Sequence, residues 1–194
     1  TIFQAARMDT PSSKGPSRED GRAVMDFMQL ARERYSCKKF DGRKVDESLL
    51  QQILEAGRLA PTAKNLQEQH VYILESADAL AKFDGASPCR YGASTVLLVA
   101  FDSENVFTYP GNAHDSGVED AAIVATHMML AAKSLGVDSC WVNFFDPDAL
   151  AATLALPKGE IILMALDLGY PAEGTKPLAN HGNRKPLEET VTRL

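Results

Sequence analysis

The strongest periodic signal in the chain lies in residues 116–135. Polar side chains recur there as adjacent pairs at an interval of seven residues, and all positions between the pairs are apolar; the pairs are Glu119 with Asp120, Thr126 with His127, and Lys133 with Ser134. This spacing predicts a helix about 30 Å long whose polar stripe is narrow. A domain of this size rarely encloses such a helix, so we expect a dimer interface to pack against it. Gly136 is the predicted stop.

The remaining hydrophobic patterns predict helices that alternate with strands. The predicted helices cover residues 24–35, the segment between Asp46 and Pro61, and residues 147–156. The predicted strands cover residues 70–74, 95–101, 139–145 and 161–170, and residues 102–115 form a polar loop. This alternation indicates an α/β or α+β fold with helices on both faces of one sheet.

The composition is typical of a soluble globular protein, with 194 residues, 45% of them hydrophobic and 24% charged. We expect one domain over residues 24–194. Residues 1–23, which are rich in Ser, Pro and charge, are expected to form a flexible extension. A formal charge of −6 argues against nucleic acid as a partner. No apolar run approaches the length of a membrane helix, so no membrane partner is expected.

The sequence lacks the motifs of several common sites. Cys37, Cys89 and Cys140 are widely spaced, and neither they nor the four histidines have the spacing of metal ligands. We therefore expect no metal and no disulfide framework, and reduced thiols indicate the cytoplasm. The absence of G-x-G-x-x-G, G-x-x-x-x-G-K-[ST] and G-x-S-x-G argues against a Rossmann site, a P-loop and a hydrolase nucleophile elbow.

A short basic segment, residues 34–40, runs against the acidic background. If its backbone is extended, Arg34, Ser36 and Lys38 project to the same side, because side chains alternate with a period of two. That side would offer a guanidinium, a hydroxyl and an ammonium group together, which suits a phosphate monoester. The charge pattern alone also fits a solvated basic turn after a helix.

Five segments, in order, match the motifs of one known family. They are RYSCKKF at 34–40, ILEAGRLAPTAKNLQ at 53–67, MLAAKSLGVDSCWV at 129–142, LGYPAE at 168–173 and RKPLEE at 184–189. The corresponding family patterns include R-x-S-x-R-x-F, I-L-E-A-A-R-x-A-P-S-x-x-N-x-Q, L-G-Y-P-A-E and R-K-P-L-E-E. On these motifs the chain resembles the FMN-dependent nitroreductase family across residues 26–191.

The resemblance implies an α+β nitroreductase-like fold, with a central mixed β-sheet flanked by helices and two chains intertwined as a homodimer. It implies a flavoprotein oxidoreductase that takes a hydride from NADH or NADPH onto FMN at N5. In a ping-pong reaction the enzyme then reduces a small-molecule acceptor such as a nitroaromatic or a quinone. No side chain is assigned as catalytic, because the flavin supplies the chemistry.

The resemblance also implies a role for each matching residue. The phosphate of FMN would be held by the residues of the basic segment and by one arginine near the end of the chain: Arg34, Ser36, Lys38 and Arg184, with Tyr35 in the same cofactor-binding segment. The flavin edge would be lined from the partner subunit by Pro61, Thr62, Ala63 and Asn65, with Gln67 close to them. A turn formed by Val142, Asn143 and Phe144 would run past the flavin ring.

Two positions depart from the family pattern. Glu68 and Gln69 stand where Pro-Trp is common, so the channel wall near the flavin is expected to differ. Lys38 stands in place of the usual Arg and offers a point charge instead of a forked donor.

Two alternatives to a nitroreductase remain open at this point. The chain could use FMN for a specialised reduction, as a dehalogenase or an ene-reductase does, and the loop at 103–114 does not decide this. It could also bind FMN without turnover, as a carrier or a redox sensor.

Overall fold

The structure is a computed structural model that describes residues 26–194. The predicted N-terminal extension, residues 1–23, lies outside the described residues. Among the described residues, no helix is both long enough and apolar enough to cross a membrane.

Five α-helices and four β-strands form the described domain. The helices are α1 Phe27–Glu33, α2 Glu47–Arg58, α3 Ala77–Ala86, α4 Gly117–Ser134 and α5 Pro147–Leu154. The strands are β1 Gln69–Leu74, β2 Thr95–Asp102, β3 Asp138–Val142 and β4 Glu160–Gly169. Short 3-10 turns occur at Ala63–Asn65 and Leu187–Glu189.

Helix α3 was not predicted from the sequence. It carries only one buried residue, Phe83, so its apolar periodicity is weak. Its N-terminal signal is nevertheless present, because the Ser76 hydroxyl accepts a hydrogen bond of 3.1 Å from the N–H of Ala79. The predicted third strand, residues 139–145, was too long: β3 ends at Val142.

The sheet has the strand order β1-β2-β4-β3. All three ladders are antiparallel, so the expected mixed sheet is wrong for these strands. A parallel contact occurs outside them, as an isolated bridge between Ser36 and Ser139 at the edge of β3. The α+β class follows from this antiparallel sheet with its separate helices.

Helices cover both faces of the sheet, as the sequence predicted. Alternate residues of β2 enter the two cores, because side chains along a strand point to opposite faces. Leu97 and Val99 pack in a cluster with residues of α2 and α4, while Val96 and Leu98 pack in a second cluster with residues of α3 and α5. β2 is therefore buried at every position except its last, Asp102.

Helix α4 lies close against the sheet. A Cβ atom on Gly117 would sit 2.2 Å from a ring carbon of Phe101, so this approach requires glycine. Seven α4 residues are buried: Gly117, Asp120, Ala121, Val124, Ala125, Met128 and Ala132. Ala122, Ile123, Met129 and Leu130 are only half-buried, so one chain leaves part of the apolar circumference uncovered.

Candidate functional site

The basic segment after α1 is extended, as the phosphate hypothesis requires. Its backbone adds to the edge of β3 through the bridge between Ser36 and Ser139 and through the N–H of Cys37, which donates to the Ser139 carbonyl at 2.9 Å. Tyr35 and Cys37 are buried, whereas Arg34 and Ser36 are half-buried and Lys38 is exposed. The alternation therefore leaves the three candidate phosphate ligands on the open side.

Tyr35 contributes differently from its neighbours, because its side chain enters the core. Its hydroxyl donates to Asp138 Oδ2 at 2.9 Å, and Lys133 Nζ donates to Asp138 Oδ1 at 2.9 Å. Burial first and Asp138 second raise the pKa of Tyr35. Burial likewise raises the pKa of the Cys37 thiol. Any contact of Tyr35 with a cofactor would thus be through its backbone.

Ser36 and Lys38 line a groove against the segment that follows β4. The opposite wall is held to the basic segment by the N–H of Ala172, which donates to the Lys39 carbonyl at 3.0 Å. Lys38 Nζ donates to the Tyr91 hydroxyl at 3.1 Å, and this bond raises the pKa of Lys38. Lys39 and Lys176 also line the groove, together with Glu173, Gly174, Thr175 and Leu178. Three ammonium groups and two hydroxyls, against the single carboxylate of Glu173, make the groove suitable for an anion.

Arg184 lies in a neighbouring depression, beside α1. Its Nη1 donates to the carbonyls of His181 at 2.6 Å and Asn183 at 2.7 Å. The depression is also lined by Ala31 and Arg32, and His181 Nε2 forms a hydrogen bond of 3.1 Å with the Arg32 carbonyl. The C-terminal segment thus returns to the helix that precedes the basic segment, but Arg184 does not share the groove of Ser36 and Lys38.

The candidate flavin-edge residues 61–67 form a turn near the start of α4. The N–H of Ala63 donates to both carboxylate oxygens of Asp120 at 3.0 Å, and the N–H of Gln67 donates to Thr62 Oγ1 at 3.0 Å. Asn65 and Gln67 have positive φ angles of 56°, a conformation that needs support from surrounding contacts. The turn presents Pro61, Asn65 and Gln67 to solvent.

The candidate turn at 142–144 follows β3. Val142 is buried at the strand end, and Asn143 Nδ2 donates to the Leu163 carbonyl at 2.9 Å. The Asn143 side chain also accepts a hydrogen bond from Trp141 Nε1. Phe144 is 72% exposed, so the turn presents an aromatic ring on the same edge of the sheet as the basic segment.

Within one chain, the basic segment and the 61–67 turn lie far apart. Ser36 bridges Ser139 of β3, and the β4 partner of Ser139 also pairs with the first residue of β2, so the basic segment lies level with the start of β2. Gln67 precedes β1, whose Gln69 pairs with Phe101, so the 61–67 turn lies level with the end of β2. The start and the end of β2 are about 20 Å apart along the strand, and β3 and β1 are about 14 Å apart across the sheet. One chain therefore does not bring the two groups together.

The structure gives specific contacts to two features for which the motif comparison assigned no role. Glu68 is 4% exposed, and its Oε1 accepts from the Ser116 hydroxyl at 3.2 Å. The loop at 103–114 contacts the 61–67 turn, because Lys64 Nζ lies 4.5 Å from the centre of the Phe107 ring. The only sequence signal for Glu68 was its departure from Pro-Trp.

Among residues 26–194, no cluster of three or more His, Cys, Asp or Glu side chains is placed to hold a metal ion.

Comparisons with known proteins agree with this architecture. A sequence model of the nitroreductase family matches residues 31–91 and 84–170. A nitroreductase family protein of Clostridium difficile 630 is 34% identical, with a TM-score of 0.81, over 87% of this chain and 98% of its own. A Methanothermobacter thermautotrophicus protein, provisionally named NADH dehydrogenase/NAD(P)H nitroreductase, is 28% identical over 82% of this chain and 86% of its own.

A third relative was solved in complex with FMN. This protein, from Exiguobacterium sibiricum 255-15, has a TM-score of 0.75 over 87% of this chain and 97% of its own, at 20% identity. At that identity the likeness concerns the fold. Because the family model covers well over half of the sequence and the Clostridium difficile protein is 34% identical over most of it, the chain belongs to the nitroreductase family.

Proposed function

We propose that the chain is an FMN-dependent NAD(P)H oxidoreductase that reduces small electron acceptors such as nitroaromatics or quinones. The observation that carries this proposal is the extended basic segment, whose Arg34, Ser36 and Lys38 lie on one open side. Family membership and the FMN complex of a structural relative support the choice of flavin. The free thiols of Cys37, Cys89 and Cys140 agree with a cytoplasmic location.

The donors of the basic segment fit the phosphate of FMN. Ser36 offers a hydroxyl, Lys38 an ammonium group and Arg34 a forked guanidinium, and a phosphate monoester accepts hydrogen bonds from all three. Arg184 would join them by moving its guanidinium from the carbonyls of its own loop. Burial of Tyr35 and Cys37 anchors the segment, so its outward side chains start from a fixed backbone.

The distance between the two groups of candidate residues supports a homodimer. We propose that the 61–67 turn acts on the flavin of the partner subunit, since about 20 Å along the sheet separates it from its own basic segment. The half-buried apolar face of α4 would supply the contact between subunits. Ala122 and Ile123 lie on this face, in a shallow depression that also includes Thr126 and His127.

The side chains of the site would bind and orient FMN, and they would not themselves react during the reduction. FMN, when bound, would accept a hydride from NADH or NADPH and pass reducing equivalents to the acceptor. The Phe144 ring and the 61–67 turn would bound the space beside the flavin and limit the access of water. This division explains why no side chain is assigned as an acid, a base or a nucleophile in the proposed reaction.

Cofactor analysis and one steady-state assay test the proposal. The purified protein, or the protein reconstituted with excess FMN, should be yellow and should release FMN on denaturation. It should then oxidise NADH or NADPH with menadione or a nitrofuran as acceptor. Release of FAD, or no flavin after reconstitution, contradicts the assignment, whereas bound FMN without turnover indicates a carrier or sensor. An acceptor panel that includes enones and halogenated aromatics separates the specialised reductases.

A further inference from the structure

A pair of buried carboxyl groups lies directly behind the 61–67 turn. Glu68 precedes β1 and Asp120 lies in the first turn of α4, and their exposed fractions are 4% and 2%. Glu68 Oε1 accepts from the Ser116 hydroxyl, but Oε2 is buried without a donor partner. Asp120 is joined to the same serine, since its N–H donates to the Ser116 carbonyl at 2.8 Å, so the two buried carboxyl groups lie on either side of Ser116.

This arrangement favours one shared proton. Two ionised carboxylates in contact repel each other, and burial penalises the charge of both. Among the residues that the structure describes, no Lys, Arg or His side chain forms an ion pair with either group. Burial first, and the hydrogen bond with Asp120 second, raise the pKa of Glu68 above its ordinary value of 4.5. A proton between the two carboxyl groups would give the unpartnered Oε2 a hydrogen bond.

The other charged groups around the pair are engaged elsewhere. On α4, Glu119 accepts from the Tyr109 hydroxyl, whose ring packs against His114. At the end of β2, the N–H of Asp102 donates to the Glu68 carbonyl, while its carboxylate accepts from the N–H of Glu104. In the turn, the ammonium group of Lys64 lies over the ring of Phe107. Asp115 caps the start of α4 by accepting from the N–H of Gly117.

The pair connects the 61–67 turn, which would bound the space beside the flavin where the acceptor binds, to the 103–114 loop. On one side, both oxygens of Asp120 accept from the N–H of Ala63 and hold the 61–67 turn. On the other side, Ser116, which donates to Glu68, accepts from the N–H of Phe107 at 3.1 Å and holds the 103–114 loop. The same two segments meet where Lys64 stacks on Phe107, so a shift of the pair would be transmitted to both.

We propose that Glu68 and Asp120 share one proton and that this carboxyl pair is a positioning element for the electron-acceptor site, holding the 61–67 turn and the 103–114 loop together. This inference rests on the proposed function, because the acceptor site belongs to it. Loss of the proton would leave two ionised carboxylates that repel each other. The hydrogen bonds from the Ala63 N–H to Asp120 and from the Phe107 N–H to Ser116 would then weaken. Acceptor binding would become weaker, with little change in the maximal rate.

The amide variants Glu68→Gln and Asp120→Asn test the shared proton, because an amide N–H replaces it without titrating. Glu47→Gln, at an exposed position in the first turn of α2 and outside both of these segments, is the matched control. In the wild type, infrared difference spectra against E68Q should contain the C=O band of a protonated side-chain carboxyl at pH values above 4.5. Spectra of wild type against E47Q should lack that band.

Acceptor kinetics test the positioning role. As the pH rises through the folded-state pKa of Glu68, the KM of the wild type and of E47Q for menadione should rise about tenfold, the equivalent of one lost hydrogen bond. The kcat should change little over the same range. E68Q should keep a nearly constant KM, and D120N provides the same comparison if E68Q fails to fold.

The two readouts distinguish failure of this inference from failure of the proposed function. If the wild type does not turn over NADH or NADPH with any acceptor, the proposed function fails, while the infrared band still decides whether the proton is shared. If turnover occurs but the band is absent, or if KM in E68Q follows the wild-type pH profile, the carboxyl pair does not have the role assigned to it.

Discussion

The Tyr35 hydroxyl donates a hydrogen bond of 2.9 Å to Asp138 Oδ2, joining the basic segment to the start of β3 across 103 residues of sequence. Lys133, near the end of α4, donates to the other oxygen of the same carboxylate. This contact fixes which side chains of the basic segment turn inward. Arg34, Ser36 and Lys38 remain on the outer side for that reason.

We expect Tyr35→Phe to lower the free energy of unfolding by about 1 kcal/mol, the typical net contribution of one hydrogen bond. Asp138 would keep its partner Lys133, so the decrease in the free energy of unfolding should stay moderate. Urea denaturation measures the effect. Tyr170→Phe is the matched control, since no hydrogen bond of its hydroxyl occurs among the described contacts, and it should leave stability nearly unchanged. A loss as large in Y170F would show that ring packing, and not the hydroxyl, is responsible.

Arg34→Ala should weaken FMN binding about tenfold to a hundredfold, because a charge-assisted hydrogen bond to phosphate contributes about 1.5–3 kcal/mol. Arg184→Ala should also weaken it. Titration of the apoprotein with FMN, followed by flavin fluorescence, measures the affinities. Arg43→Ala should have little effect, because Arg43 already pairs with Asp41 at 2.6 Å and lies over the Tyr170 ring. Equal losses at all three arginines would indicate a general field effect without a phosphate clamp.

Ile123→Arg should convert the proposed homodimer to monomer and reduce flavin content, because a charge would be placed in an apolar contact. Light scattering at micromolar concentration measures the mass. Ala125, although on the same helix, is fully buried within its own chain, so a substitution there would report on the core instead. Ala152→Arg, on the exposed side of α5, is the control and should keep the wild-type mass. A flavin-loaded wild-type monomer would contradict the dimer proposal.

Asp167 should make the protein less stable as the pH rises. It is fully buried in β4, neither carboxylate oxygen has a hydrogen-bond partner, and burial raises its pKa to about 9. Its ordinary value is 3.8, so the folded state holds a proton that the unfolded state releases between these limits. The free energy of unfolding should therefore fall by up to about 1.4 kcal/mol per pH unit in that range.

Asp167→Asn should remove this contribution and flatten the dependence of stability on pH. Urea denaturation at several pH values between 4 and 9 measures the slope, within the limits set by the two pKa values. Asp148→Asn, at an exposed position in the first turn of α5, is the control and should follow the wild type. Parallel slopes for D167N and the wild type would mean that Asp167 is ionised in the folded state.

Local patterns predicted most of the secondary structure. The helix predicted at 116–135 is α4, and the Asp146-Pro147 signal marks the start of α5, where Asp146 accepts from the N–H groups of Asp148 and Ala149. These elements were predictable because capping and periodicity are local properties of the chain. Helix α3 was missed because it buries one residue, and the pairing of the strands was misjudged because it depends on non-local contacts.

The order of residues alone was enough to predict most of the helices and strands, the alternation of side chains along the basic segment, and the family, because all of these depend on local patterns. The three-dimensional structure was needed to show that Tyr35 turns into the core towards Asp138, and that Glu68 and Asp120, 52 positions further along the chain, both bond to Ser116. It also decided that the 61–67 turn and the basic segment lie at opposite edges of the sheet. The physical reason is that these relationships arise from packing between elements distant in sequence, and no local pattern encodes which of them meet.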